Sequence, residues 1–251
     1  MKITRKQFLE LSGLSLIAAA AGKLLPGTVR SATEEGARTI RWGMAIDLQK
    51  CRQKEGCSGC IRACHTTHNV PQFADKAHEV KWIWKQPFED VFPFTQTAYA
   101  QAISAGQPVM VLCNHCESPP CTDVCPVDAT WKRDDGVVTV DWHRCIGCRY
   151  CMAACPYGAR SFNWQDPRPA IPAVNGDFPT RTKGVVEKCN FCEERLAKGL
   201  APACVAACEE KALVFGDLEQ PDSEVRRLLR SRFAVQRKPE LGTHPSVYYL
   251  L

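Results

Sequence analysis

Sixteen of the 251 residues are cysteine, and they fall into four runs of four. The first is Cys51, Cys57, Cys60 and Cys64, with gaps of five, two and three residues. The second is Cys113, Cys116, Cys121 and Cys125, then Pro126, with gaps of two, four and three. The third is Cys145, Cys148, Cys151 and Cys155, then Pro156, with gaps of two, two and three. The fourth is Cys189, Cys192, Cys204 and Cys208, with gaps of two, eleven and three. Cysteines two residues apart seldom bridge each other in a compact scaffold, and a full set of disulfides would not need four blocks of one pattern. Zinc is the stronger rival, because C-x2-C pairs also make zinc knuckles. It leaves the C-x3-C-P endings of the second and third runs unexplained. Covalent haem needs C-x2-C-H, which this chain lacks.

The third run matches the bacterial ferredoxin pattern C-x2-C-x2-C-x3-C-P without deviation. Three thiolates on one tight loop each reach a separate iron of a cubane, and the short gaps aim loop amides at the sulfurs. Cys155 is expected to begin a short helix, face away and ligate the neighbouring cluster, as the fourth cysteine of such runs does. The proline after it needs no amide partner. Sixteen such ligands make four [4Fe–4S] clusters. Of the six histidines, His115 lies inside the second run and His143 just before the third. Both are expected beside the clusters, where they tune potential, as are the charges of Arg144, Arg149 and Arg160. No nucleophile–base arrangement or glycine-rich nucleotide loop stands out, so the chain reads as a wire without a substrate pocket.

Between the second and third runs, Asp135-Gly136 sits between alternating residues and predicts a β-hairpin. Loop, short helix, hairpin, loop, short helix is a two-cluster unit. The fold class expected is therefore α+β: two ferredoxin-like two-cluster domains, the inner one (113–163) nested inside an outer one, with long loops and a C-terminal helix. The outer domain is expected from 32–112, which carries an insertion, and from 164–218. Tandem pairing, first run with second and third with fourth, is the alternative. The insertion Phe73–Met110 makes it less natural, being too long for a compact hairpin. Val80, Trp82 and Trp84 alternate on one face of that insertion, for the core or for a partner. Residues 164–184, rich in Pro, Arg and Gly, read as an irregular surface loop and an arm available to a partner. In 219–251, Pro221-Asp222-Ser223 precedes Val225, Leu228, Leu229 and Phe233 at helical spacing, and residues 243–251 read as a strand-like tail.

Residues 1–31 read as an export signal: a basic start, then a short, weakly apolar stretch from Leu11 to Ala21. Thr4-Arg5-Lys6-Gln7-Phe8-Leu9 resembles the twin-arginine signal, which moves folded, cofactor-loaded proteins, with lysine in the second arginine position. The expected location is the periplasmic or extracytoplasmic face of the cytoplasmic membrane, peripherally bound. No apolar run reaches the ~18 residues that cross a bilayer. The formal charge of +5 is mostly in this leader, leaving about +1 for residues 32–251. With about −2 for each oxidised cluster and its thiolates, the loaded body is acidic. That argues against nucleic acid as a partner.

Cys113–Cys121, Asp141–Arg160, Lys188–Cys192 and Pro202–Cys208 resemble the four-cluster electron-transfer subunits of complex iron–sulfur molybdoenzymes over roughly residues 40–218. The resemblance implies a non-catalytic relay and four ligand sets: Cys51, Cys57, Cys60 with Cys208; Cys189, Cys192, Cys204 with Cys64; Cys113, Cys116, Cys121 with Cys155; Cys145, Cys148, Cys151 with Cys125. The five-residue gap after Cys51 departs from the family's two, and Gln53-Lys54-Glu55 would bulge outward. Arg41–Asp47, His68–Pro71 and Lys81–Asp90 are most similar to the DsrO branch, exported subunits of DsrMKJOP membrane complexes linked to sulfite reduction or sulfur oxidation. That branch implies a multi-span quinone-interacting membrane subunit and a periplasmic multihaem cytochrome c as partners, with further iron–sulfur and haem b subunits in the complex. The alternative partner is a molybdopterin catalytic subunit, as in tetrathionate, polysulfide or dimethyl sulfoxide reductases.

Overall fold

The computed structural model describes residues 39–93 and 106–251. The leader and part of the insertion lie outside them. The described chain is a mixed α+β fold of short helices and four small sheets. The largest sheet has the order Leu213–Asp217, Trp42–Asp47, Val247–Leu250, Ala234–Val235. Trp42–Asp47 pairs antiparallel with Leu213–Asp217, from Trp42 opposite Asp217 to Ile46 opposite Leu213. On its other side it pairs in parallel with Val247–Leu250. The strand before the first cysteine run is thus hydrogen-bonded to the strand after the fourth. Met44, Ala45 and Ile46 are buried, as a strand covered on both faces requires. At Gly43 an added Cβ would stand 2.5 Å from Leu218 Cδ1, so this glycine lets Leu218 lie on the strand.

The hairpin around Asp135-Gly136 forms as expected: Thr130–Lys132 pairs antiparallel with Val138–Val140. Gly136 takes φ +81° at the turn, where a Cβ would strain the backbone. The insertion contributes a strand, Ile83–Pro87, paired antiparallel with Pro108–Leu112. Val80, Trp82 and Trp84 are all buried, so the core takes them. Met110 of this hairpin brings its Sδ to 3.7 Å from Cys60 Sγ, and the core is continuous with the cysteine runs.

Residues 164–184 are irregular, as expected, with one 3-10 turn at Arg168–Ala170. They are not a free arm. Ile171, Phe178 and Arg181 are buried, and Asn69 Nδ2 donates to the carbonyls of Asn175 and Phe178 at 2.9 and 2.6 Å. The C-terminal helix spans Glu224–Ser231, and the Ser223 hydroxyl accepts the Arg226 amide at 3.3 Å. Val225 is buried, with Leu228 and Leu229 packed beside Ala45, Leu218 and Leu250. Phe233 lies beyond the helix and is 73 % exposed, so the apolar stripe ends one turn earlier than its spacing suggests. No described helix is long and apolar enough to cross a membrane.

Candidate metal centre

The structure gathers the sixteen thiols into four groups of four. Cys113, Cys116, Cys121 and Cys155 line one apolar cavity with about 320 Å³ free of atoms, part of it open to solvent. Cys125, Cys145, Cys148 and Cys151 line a second of about 340 Å³. Cys51, Cys57, Cys60 and Cys208 are electrostatic neighbours, and Cys64 has Cys189, Cys204 and Cys192 as its nearest. In every group, three cysteines of one run meet the last cysteine of another. The helical step produces this. Cys64 is buried within the helix Gly59–Thr67, one turn after Cys60, on the side facing the next group. Cys155 does not begin a helix; it closes one, Tyr150–Ala154, as its C-cap.

Cys51 belongs with its group despite the long gap. It sits in the helix Leu48–Arg52, capped by Asp47 accepting the Lys50 amide at 3.1 Å. Gln53, Lys54 and Glu55 are exposed, and Gly56 at φ +68° turns the chain back towards Cys57. The groups also follow one another. Cys60 neighbours Cys64 and Cys204, Cys189 neighbours Cys113, and Arg160 stands against both Cys121 and Cys151.

This donor chemistry calls for a metal. Burial, then the neighbouring thiols, push Cys60 up to about 11 and Cys116 up to about 12. The same causes push Cys64 and Cys204 well above the thiol range. Four thiolates cannot share so apolar a site without cations between them. Backbone amides already point at sulfur: Ala129 to Cys125 at 3.2 Å, Ala203 to Cys192 at 3.3 Å and Ala212 to Cys208 at 3.2 Å. Cys125 moves the other way. Burial opposes its ionisation, but the amides of Val127, Thr130 and Ala129 outweigh it and lower its pKa. The residues fit a four-thiolate cluster.

Around the thiols the expectations divide. His115 is fully buried, stacked on Phe191 at 3.6 Å, and its Nδ1 accepts the Val138 amide at 3.0 Å. Burial, then Lys188 and Arg160, hold its pKa well below the usual histidine value. His143 is exposed, and its backbone amide donates to Asp141; it lines neither cavity. Arg144 also faces out towards Asp141. Arg149 lies at the rim, its guanidinium 4.7 Å from the Trp164 ring centre, and Arg160 is buried.

Two buried groups escaped the sequence reading. His68 donates from Nδ1 to the Cys64 carbonyl at 2.8 Å and pairs through Nε2 with Glu194 at 3.1 Å. Burial opposes its charge, but Cys192 and Glu194 outweigh it and raise its pKa to about 9. Lys188 donates to the carbonyls of Val138 and Cys189. Each has a sequence signal in hindsight: His68 lies four residues after Cys64, on its helix face, and Lys188 directly precedes Cys189.

The third loop offers a simple test. Gly147 has φ +71°, and a Cβ there would stand 2.3 Å from the Gly184 carbonyl oxygen. Gly147→Ala combines a left-handed alanine, about 1–2 kcal/mol, with a clash against backbone. The expected result is a loaded protein that unfolds at lower temperature than the parent; an unchanged melting curve would refute this account of the loop.

A 4Fe-4S dicluster domain model matches residues 108–170 and 172–218. The chain is 40% identical to the Hdr-like menaquinol oxidoreductase iron-sulfur subunit 1 of Archaeoglobus fulgidus, over 98% of this chain and 97% of that protein. It is 37% identical to the arsenate respiratory reductase iron-sulfur subunit of a Shewanella species, over 84% of this chain and 96% of the relative. It is 36% identical to a tetrathionate reductase subunit of Salmonella typhimurium, over 100% of this chain and 89% of the relative. These likenesses reach several iron–sulfur subunits and do not single out the DsrO branch.

Proposed function

This chain belongs to the family of iron–sulfur subunits of complex iron–sulfur molybdoenzymes, and on that premise we propose that it is a four-cluster electron relay with no chemistry of its own. The observation that carries the reading is the row of four thiol groups, each beside the next. We read the groups as the ligand sets of four [4Fe–4S] clusters: Cys51, Cys57, Cys60, Cys208; Cys64, Cys189, Cys192, Cys204; Cys113, Cys116, Cys121, Cys155; and Cys125, Cys145, Cys148, Cys151. In domain terms the inner unit, 113–163, lies within an outer one whose ends are tied by the pairing of Trp42–Asp47 with Leu213–Asp217. A bound cluster supplies one-electron transfer between two oxidation states. The chain's residues bury the thiols to different depths, aim amides at Cys125, Cys192 and Cys208 and place charge beside Cys121.

The molybdopterin partner has the more support, because relatives include subunits of arsenate and tetrathionate reductases. In that reading the row runs between a quinone-interacting membrane subunit and an exported molybdopterin catalytic subunit. The second reading, with a multihaem cytochrome c in place of the molybdopterin subunit, is favoured by the near end-to-end match to a menaquinol oxidoreductase subunit. Both place the protein on the outer face of the membrane, delivered by residues 1–31.

The purified holoprotein is expected to hold about 16 iron and 16 acid-labile sulfide, from four sets of four thiolates. About 12 iron would refute four [4Fe–4S] clusters. Mild detergent extraction of the native complex then identifies the partner. Stoichiometric molybdenum without covalent haem supports the first reading; covalent haem and an integral subunit without molybdenum support the second.

A further inference from the structure

We propose that Arg160 is a shared positioning residue, one fixed cation that sets the potentials of two neighbouring clusters together, those at Cys113/Cys116/Cys121/Cys155 and at Cys125/Cys145/Cys148/Cys151. The proposal rests on reading these thiol groups as cluster sites. Arg160 is 5 % exposed and borders both cavities. Its Nη2 donates to Cys121 Sγ at 3.0 Å and to Thr130 Oγ1 at 2.8 Å. The Thr130 hydroxyl in turn donates to the Thr139 carbonyl at 2.6 Å, so the inner hairpin holds the guanidinium in place. The charges nearest to it are thiols from both groups, Cys121, Cys151 and Cys113.

Its other terminal nitrogen, Nη1, is buried without a hydrogen-bond partner among the described residues. A buried arginine with an unused donor is costly, and that donor calls for an acceptor at one of the cavities it borders. Sulfur carrying the negative charge of a bound cluster has the right chemistry. Arginine suits the place because its charge does not titrate and its planar fork reaches two acceptors at once. A cation here favours the more negative, reduced form of either neighbour and raises both potentials. Lys188 is the next buried cation along the row: it acts on Cys189 of the adjoining group and shares Cys121 with Arg160. It does not act on the Cys125/Cys145/Cys148/Cys151 set in the way Arg160 does at Cys151.

The test is a redox titration of the cluster-loaded full chain, followed by electron paramagnetic resonance. In Arg160→Gln, two of four midpoints are expected to fall, each enough to change the reduced-to-oxidised ratio at fixed potential at least tenfold, which is 59 mV for one electron. The other two stay. Arg160→Lys, which keeps the charge and loses the fork, moves the same two by less. Movement of one midpoint, of none, or of all four equally overturns the proposal. If Arg160→Gln fails to load fully, iron content decides: loss of about half the iron supports a residue shared by two clusters, and loss of about a quarter refutes it. A parent protein with fewer than four midpoints overturns the four-cluster reading itself, and that is seen before Arg160 is changed.

Discussion

Removing Cys208 and Cys57 together is expected to cost no more iron than removing either alone. Each alanine variant should fall from about 16 iron to about 12, because each breaks one set of four ligands. If both cysteines serve the same cluster, the double variant stays near 12. The structural basis is the neighbourhood of Cys60, where Cys51, Cys57 and Cys208 converge. Cys208 itself comes from 144 residues beyond Cys64, at the end of the turn that follows the helix Ala203–Ala206. Pairing Cys208→Ala with Cys145→Ala gives the opposite result, about 8 iron, if those two serve different clusters as proposed. Tandem pairing of the runs reverses the two outcomes, so iron analysis of the two double variants separates the arrangements. This nonadditivity is the logic of a double-mutant cycle.

Arg181→Met should be the most damaging change outside the thiols, at about 3–5 kcal/mol, the cost of breaking a buried ion pair from one side. Arg181 and Glu187 are both fully buried, 2.6 Å apart. Glu187 also accepts from Trp82 Nε1 at 3.0 Å and from Asn163 Nδ2 at 2.5 Å. Arg181 donates to the carbonyls of His68 at 2.5 Å, Pro179 at 2.9 Å and Asn69 at 2.9 Å. Its guanidinium lies 5.5 Å from the ring centres of Trp82 and Trp142. Methionine fills the volume but leaves a carboxylate and three carbonyls short of donors. The holoprotein should melt earlier, and amide exchange in residues 164–184 should rise, because Arg181, with Asn69, ties that segment to the body. Unchanged exchange there would refute the anchor. Where unfolding is irreversible, melting points compare only at one scan rate.

Short-range geometry was legible. The Asp135-Gly136 hairpin formed, with a three-residue loop, Asp134-Asp135-Gly136, closed by Arg133 and Val137 and a positive φ at the glycine. The Ser223 cap and the apolar spacing of Val225, Leu228 and Leu229 are read within one helical turn, and the helix is there. The cysteine runs are of the same kind. Gaps of two and three determine which thiols can surround one point and which must turn away, so the three-plus-one grouping followed from spacing joined to a family resemblance. Even the stretched first run obeyed, because its extra residues could swing into solvent.

What failed was what depends on neighbours far along the chain. His143 sits two residues before Cys145 and still faces solvent, since nearness in sequence does not decide which side of a loop a ring takes. Residues 164–184 read as a surface loop available to a partner, yet Arg181 finds Glu187, Trp82 and two carbonyls of the helix end near His68. Trp82 itself could have served a surface or a core until Glu187 and Phe178 arrived from about a hundred residues away. The parallel pairing of Val247–Leu250 with Trp42–Asp47 joins opposite ends of the described chain. By itself, then, the sequence determined the spacing of the thiols within each run and the local turns, because these are properties of a few bonded residues. The tertiary structure alone decided the order of the sets and the buried cations beside them, because a charge such as Arg160 acquires its neighbours only when separate segments pack around it.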